Sequence, residues 1–325
     1  MKTMLRSLIA VCLIAQAAPA AAQDAAANFP SKPIRIMGQG QGSTADYLSR
    51  FLGQRLQEKW GQAVVVDSRS GAGGTIPTDV VAKSPPDGYN LVMGHAGPFV
   101  SAVTLYSKDL PYDPLKDFEP VTMVATGVVV LVVHPSVPVS NAREFIAYAK
   151  QNGKLSYSSA GNGSTSHLAA ELLKNVTGIP LQHIPYKSAG NALTALLAGE
   201  VQVSFLSPVT AHGQLKAGKI KALAVSSATR FAGTPDIPSA TEAGIPGMEA
   251  KLWFGLFAPA KTPRAVVMKL NREVGDILRR AETREQLLAQ GAEPTPSTPE
   301  ELDAWVRSEV EKWTPIIRKA GITAD

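Results

Sequence analysis

The sequence holds one cysteine in 325 residues, Cys12. One thiol closes no internal disulfide, and its place in an N-terminal leader (below) removes thiol catalysis and cysteine-ligated metal from the mature chain. No apolar run reaches the roughly 20 residues needed to cross a bilayer. Aromatic residues make up 6% and charged residues 18%, and the 32 Lys and Arg are scattered among 27 Asp and Glu. Without a basic stripe, nucleic acid is not an expected partner. The five histidines, at 95, 134, 167, 183 and 212, show no HExxH or other metal spacing, so neither metal nor cofactor is expected. No GxSxG elbow exists either, because Gly161-Asn-Gly163-Ser164 places its serine out of register. Enzymatic turnover therefore has no nucleophile–base pair to rest on. The 45% apolar content excludes a disordered chain, and the length suits one large or two medium domains.

What is present starts with an export signal. Lys2 and Arg6 precede the apolar stretch Ser7–Ala15, and Ala20-Ala-Ala22 offers small residues for cleavage. Residues 1–22 thus read as a signal peptide, with cleavage near Ala22/Gln23 and a periplasmic product. Cys12 follows Val11 inside the apolar stretch, where a lipoprotein signal needs a small residue before its cysteine.

Beyond the leader, strand-like and helix-like segments alternate. Strands are expected at 33–37, 63–67 and 89–93, with helices over about 43–60 and from the Gly71–Gly74 turn to about Lys83. After a strand at 128–133 the pattern restarts: helix 141–151, strand 154–159, helix 164–176, strand 181–184, helix 189–197, strands 201–206 and 220–225. An extended apolar stretch at 251–258 precedes three helices near 263–281, 283–290 and 299–319, which have no strands of their own and must pack on an existing sheet. Strand, short loop and helix in that order describe right-handed βαβ units. The expected architecture is α/β: two lobes, each a mostly parallel sheet flanked by helices, with residues 29–125 plus 252–325 in lobe 1 and 126–251 in lobe 2. The chain then crosses between lobes twice, which makes a hinge beside a cleft that closes by rigid-body rotation.

Three turns share one design: glycine with Ser, Thr or Asn, placed between a strand and a helix start. They are Gly38–Asp46, Gly71–Thr75 and Ser158–Ser166. A helix start carries unpaired N–H groups and partial positive charge, so several facing one cleft would hold a carboxylate without a lysine. Gly38, Gly40 and Gly42 lack the GxGxxG rhythm of a dinucleotide site, and Gly213–Lys219 fails as a P-loop because Ile220 replaces the required Ser or Thr. Gly218 reads as a helix C-cap, and Ser43 with Asp46 as a capping box. Gly94-His-Ala-Gly97 follows a strand, which should turn His95 toward the cleft.

At these residues the chain resembles the periplasmic solute-binding proteins of the tripartite tricarboxylate transporters (the Bug, or TctC-like, family). The resemblance is carried by Pro30-Ser-Lys-Pro-Ile-Arg-Ile36, Ser70-Gly-Ala-Gly-Gly74, Pro86-Asp-Gly-Tyr89, Leu110-Pro-Tyr-Asp-Pro114, Ala160-Gly-Asn-Gly-Ser164, Ile184-Pro-Tyr-Lys187, Trp253-Phe-Gly255 and Ser297-Thr-Pro-Glu300, in that order. It implies a type II-like periplasmic-binding fold, a small carboxylate in the interlobe cleft, and delivery to separate membrane permease subunits. A monomer is expected; the competing reading is a ligand-sensing module for a sensor kinase. The expected ligand contacts are Gly42, Ser43, Thr44, Gly74, Thr75, His95, Ser159, Asn162, Gly163 and Ser164. By position in the family, Tyr186, Leu206 and Ser207 join them, while Lys187 reads as a solvated surface lysine. Family members usually carry Pro-Phe-x-Pro-Gly-Gly where this chain has Gly38-Gln-Gly-Gln-Gly-Ser43, and many place an Asp at the position of Leu206. An apolar Leu206 argues against an ammonium-bearing ligand. The expected ligand is a dicarboxylate without an amine, aromatic ones such as terephthalate included.

Overall fold

The structure is a computed structural model describing residues 26–323, so the signal-peptide reading of residues 1–22 lies outside the described residues. The first three strands, β1 (Ile34–Gln39), β2 (Val64–Arg69) and β3 (Asn90–Gly94), are joined by α1 (Thr44–Trp60) and α2 (Thr75–Ala82). In α1, Leu48, Phe51, Leu52 and Leu56 recur at helical spacing and are all buried, which fixes the face laid on β1 and β2. Ser43 caps its start, and Gly61, at φ 66°, ends it with a left-handed turn. A π-helical turn at Gly97–Ser101 and a short helix α3 (Ala102–Leu105) follow β3; neither left a signal in the sequence reading.

The apolar run expected as one strand at 128–133 is two strands. β4 (Phe118–Val128) and β5 (Val130–Val133) belong to different sheets and are separated only by Val129. Every residue from Val121 to Val133 is buried, and the run Gly127–Val133 around the break contains no polar side chain. Beyond it come α4 (Ala142–Gln151), β6 (Ser156–Ser159), α5 (Thr165–Thr177), β7 (Gln182–Pro185), α6 (Ala189–Leu197), β8 (Val203–Leu206), α7 (Pro208–Lys216) and β9 (Lys221–Val225). The chain returns through β10 (Lys251–Pro259) and ends in α8 (Arg264–Leu278), α9 (Ala281–Ala289), β11 (Glu293–Pro294) and α10 (Pro299–Lys319). The terminal helices therefore do carry a strand, the two-residue β11 on the edge beside β4.

The sheets run β11-β4-β10-β3-β1-β2 and β7-β6-β8-β5-β9. Both are mixed sheets in which most strands run in one direction. β1, β2 and β3 pair in parallel, as do β7, β6 and β8, while β10 and β5 run antiparallel to both neighbours. The reason is topological. Strands joined through helices all point their carboxyl ends at the cleft. The two strands that carry the chain across it, β5 and β10, start there and run away. Val128–Val130 and the segment from Ser226 to Lys251 are the two crossings.

One core cluster extends from the first sheet into one face of the second, and a smaller one covers the other face of the second sheet around Val130, Val132, Leu196 and Leu206. In the larger cluster Phe257 of β10 stacks on Phe99 with centroids 4.1 Å apart, and Phe118 packs on Phe99 at 5.0 Å. Phe257 is 1% exposed. Phe257→Ala should cost about 3–5 kcal/mol, read as a lower urea midpoint with an unchanged slope; a loss under about 1 kcal/mol would mean the cluster repacks around the gap.

Candidate functional site

A cavity of about 710 Å³, part of it open to solvent, lies between the sheets at the carboxyl ends of their parallel strands. Its walls are helix starts. The N-caps Ser43, Ser164, Ser188 and Ser207 begin α1, α5, α6 and α7, and Gly74 begins α2; all five line the cavity. Each serine hydroxyl accepts the N–H of the residue three positions on: Asp46 at 3.1 Å, His167 at 3.4 Å, Asn191 at 3.2 Å and Thr210 at 3.2 Å. Capping of this kind is worth about 1 kcal/mol per helix. Among the described residues it also leaves the next two amides of α1, α5 and α6 without an acceptor, and one in α7, whose first residue is Pro208. In α1 these belong to Thr44 and Ala45, in α5 to Thr165 and Ser166, and all four residues line the cavity. Two pairs of free N–H donors, one on each lobe, thus flank one space, each at the positive end of a helix dipole.

Among the described residues, no acidic side chain lines this space. Asp46, the nearest acid in sequence, is turned away: its carboxylate accepts from Ser68 Oγ and from Arg50 Nε at 3.0 Å. Ser43 therefore caps α1, but Asp46 does not complete a capping box. The rim carries two cations. Arg69 is paired with Asp67 at 3.0 Å, whereas Lys187 is exposed, with no ion-pair partner among the described residues. The floor is apolar: Val129, Phe205, Leu252 and Phe254, contributed by β8 and by the crossing strands.

His95 and Gln39 form one wall. Gly97 N–H donates to His95 Nδ1 at 3.1 Å, so Nε2 carries the proton and donates to Gln39 Oε1 at 2.6 Å. The Gln39 amide in turn donates to Met93 O at 3.1 Å. A Cβ on Gly74 would overlap Gln39 Oε1, which makes glycine a steric requirement of this wall. Desolvation pushes the His95 pKa from 6.5 down to about 4, so the ring is neutral near pH 7. It offers a polar edge without a charge.

Of the residues expected at the ligand, Ser43, Thr44, Gly74, His95, Ser164 and Ser207 line the cavity together. The others do not. Leu206 faces the smaller core beside Val130, its strand partner, and the preceding residue, Phe205, lines the cavity instead. Both faces of β8 are buried, so no alternation in the sequence separates them. Ser159 is sealed beneath its loop, accepting from Gly161 N–H at 3.1 Å and lying 2.6 Å from His183 Nε2. Gly163 donates to His167 Nδ1 at 3.1 Å, and a side chain there would overlap Leu105. Asn162 reaches Thr323 O at 3.3 Å, and the Tyr186 hydroxyl donates to Glu200 at 3.3 Å. Gly42 lies on the mouth, where its carbonyl accepts from Thr210, and Thr75 is buried in the first turn of α2. Gln39, Thr165 and Ser166 line the cavity outside the ligand loops expected from the family, while Ala45, Lys187 and Ser188 line it from two of those loops, 40–46 and 186–190, without being among the expected contacts. The helix caps point to three of them, because free amides belong to the two residues after a cap whatever their side chains.

Two α/β lobes joined by two crossings, with helix starts facing one another across a cleft, have the architecture of a two-lobed solute-binding protein. The sequence comparisons make the class specific. The profile of the tripartite tricarboxylate transporter family receptor, TctC, matches residues 48–322, and the chain belongs to that family of solute-binding proteins. Protein BugT of Bordetella pertussis is 32% identical over 320 residues, covering 98% of each chain. Among solved structures, an R. palustris protein with adipate is 35% identical, with a TM-score of 0.88 over 91% of this chain and 99% of its own. MatC from Rhodopseudomonas palustris with bound malate is 32% identical, with a TM-score of 0.83 over 89% of this chain and 100% of its own.

The titration of His95 gives a test of the wall. In the unfolded chain the ring takes up a proton near pH 6.5, while the folded ring stays neutral down to about 4. Unfolding therefore binds a proton within that window, and stability falls as the pH is lowered through it, by at most about 1.4 kcal/mol per pH unit. His95→Gln should flatten urea-derived stability between pH 6 and pH 4.5 by about that slope. An unchanged slope would show that His95 is not held neutral.

Proposed function

We propose that this chain is a periplasmic receptor that captures a small dicarboxylate without an amine between its lobes, 29–125 plus 252–325 and 126–251, and delivers it to a tripartite tricarboxylate-type permease. One observation carries the reading: the Thr44/Ala45 and Thr165/Ser166 amides flank an apolar floor, and among the described residues no acidic side chain lines the cavity. A carboxylate accepts such amide pairs as charge-assisted hydrogen bonds. A second carboxylate would find the α6 and α7 starts and Lys187 at the rim, which has no ion-pair partner among the described residues. Val129, Phe205, Leu252 and Phe254 suit a hydrocarbon or aromatic body between the acid groups. An α-ammonium would enter a site whose fixed charges and dipoles are all positive, with no acid to pair it.

The relatives support this reading. One is solved with adipate, two carboxylates on an apolar chain, and another with malate. Adipate and terephthalate match the floor; malate tests whether a hydroxyl is tolerated beside His95 and Gln39. The initial leader, with Lys2, Arg6 and the Ala20–Ala22 cleavage residues, supports export to the periplasm.

Calorimetry and thermal shift with adipate, malate, terephthalate, glutamate and nicotinate test the assignment. Ligand that binds only the folded chain raises its melting temperature. Stabilisation by one or more of the three dicarboxylates, and none by glutamate, is expected. Tight binding of glutamate or nicotinate with no response to any dicarboxylate would contradict it.

A further inference from the structure

The loops around the cavity meet backbone to backbone across its mouth. On one side Gly40 and Gly42, after β1, face Ser188 and Gly190 at the start of α6. A Cβ on Gly40 would lie 2.9 Å from the Ser188 Cβ, and one on Gly42 would lie 3.7 Å from the Gly190 Cα. Beside them Thr44 Oγ1 donates to Ser207 Oγ at 2.6 Å and Thr210 Oγ1 to Gly42 O at 3.3 Å, so hydrogen bonds join the lobes along the same line. On the other side a Cβ on Gly73 would lie 2.9 Å from Asn162 O. The mouth is closed by two seams of bare peptide.

Most seam glycines are accounted for by their own backbones, since Gly40, Gly42 and Gly73 all have φ between 62° and 75°. Gly190 is different. It is the second residue of α6, in ordinary helical conformation, where glycine is the poorest choice after proline. A Cβ there would come 2.9 Å from Gln41 O, a carbonyl of the opposite lobe; within its own lobe the nearest atom is Ser188 Oγ at 3.8 Å. Within its own lobe Gly190 has room for a Cβ. The closed pair of lobes does not.

We propose that Gly190 determines closure: its bare α-carbon lets the start of α6 seat against the Gln41 peptide, so ligand affinity depends on a residue outside the cavity wall. A side chain at 190 would prop the seam open and pull the α5, α6 and α7 starts away from those of α1 and α2. The ligand half of the test rests on the dicarboxylate reading above; the seam itself does not.

Gly190→Ala, Gly190→Leu and, as control, Gly213→Leu separate the two possibilities. Gly213 lies in α7 of the same lobe, exposed, with no atom within 4 Å of an added Cβ. Ligand-free G190A and G190L should melt at or above the wild-type temperature, because both residues are better helix formers. Adipate affinity should fall at least about tenfold in G190L and less in G190A. Small-angle scattering should show adipate compacting the wild type and G213L but not G190L. Wild-type affinity and compaction in G190L would overturn the proposal, as would a fall of ligand-free G190L to a much lower melting temperature, which marks a structural role within the lobe. If adipate fails to compact the wild type, the dicarboxylate reading loses support and the seam is read from the ligand-free chains by amide exchange at 41–43 and 188–191. Faster exchange in G190L than in G213L supports it; equal rates overturn it.

Discussion

The binding cleft depends on peptide N–H groups that have no acceptor among the described residues. A helix of any sequence begins with such groups, and in most proteins water or a side chain satisfies them. Here the serine caps of α1 and α5 satisfy one amide each and leave the next two beside a common space. Both α1 and α5 do this, and they come from opposite lobes. With Asp46 tied to Ser68 and Arg50, no side-chain acid competes for those donors. The resulting field is positive without a buried cation, so it carries no desolvated charge when empty of its guest.

The fold supplies this arrangement cheaply in sequence terms. Strands joined through helices all end at the cleft, so each βα turn delivers a helix start there. The strands that cross between lobes, β5 and β10, begin at the same place; Val129, just before β5, and Leu252 and Phe254 of β10 form part of the floor. Hinge and floor are thus one structure. On the proposed closure, rotation about the crossings would move the two sets of amides relative to each other around the apolar floor. This geometry couples capture to closure, and it explains why small residues and short loops, rather than bulky side chains, meet at the mouth.

Much of the fold was legible in the sequence. The spacing of Leu48, Phe51, Leu52 and Leu56 marked α1, and the glycine turns marked the loops that reach the cavity. What escaped reading did so for identifiable reasons. The break at Val129 sits in an unbroken apolar run, because hinge strands buried on all sides need no polar marker. The antiparallel β5 and β10 follow from the crossings, a property of topology that local periodicity does not encode. For the site, attention to hydroxyls and glycines located Ser43, Thr44, Gly74 and Ser164 on the wall, yet Ser159 and Gly163 turned out to brace their own loop through histidines 183 and 167. Ala45 carries no functional group at all and was overlooked, since its contribution is a main-chain amide. The choice of Leu206 over Phe205 missed by one residue in a strand whose two faces are equally apolar.

The central claim is that main-chain amides, not side chains, hold the guest, and one substitution addresses it directly. Thr165 is the first residue of α5, a position that accepts proline, and Ser164 before it has the extended conformation (φ −64°, ψ 157°) that proline requires of its predecessor. Thr165→Pro removes one N–H from the cavity and leaves the helix intact. Calorimetric titration with adipate should show binding weakened roughly ten- to a hundredfold, the loss of one hydrogen bond to a charged group, with the ligand-free melting temperature unchanged. Wild-type affinity in this variant would contradict the account.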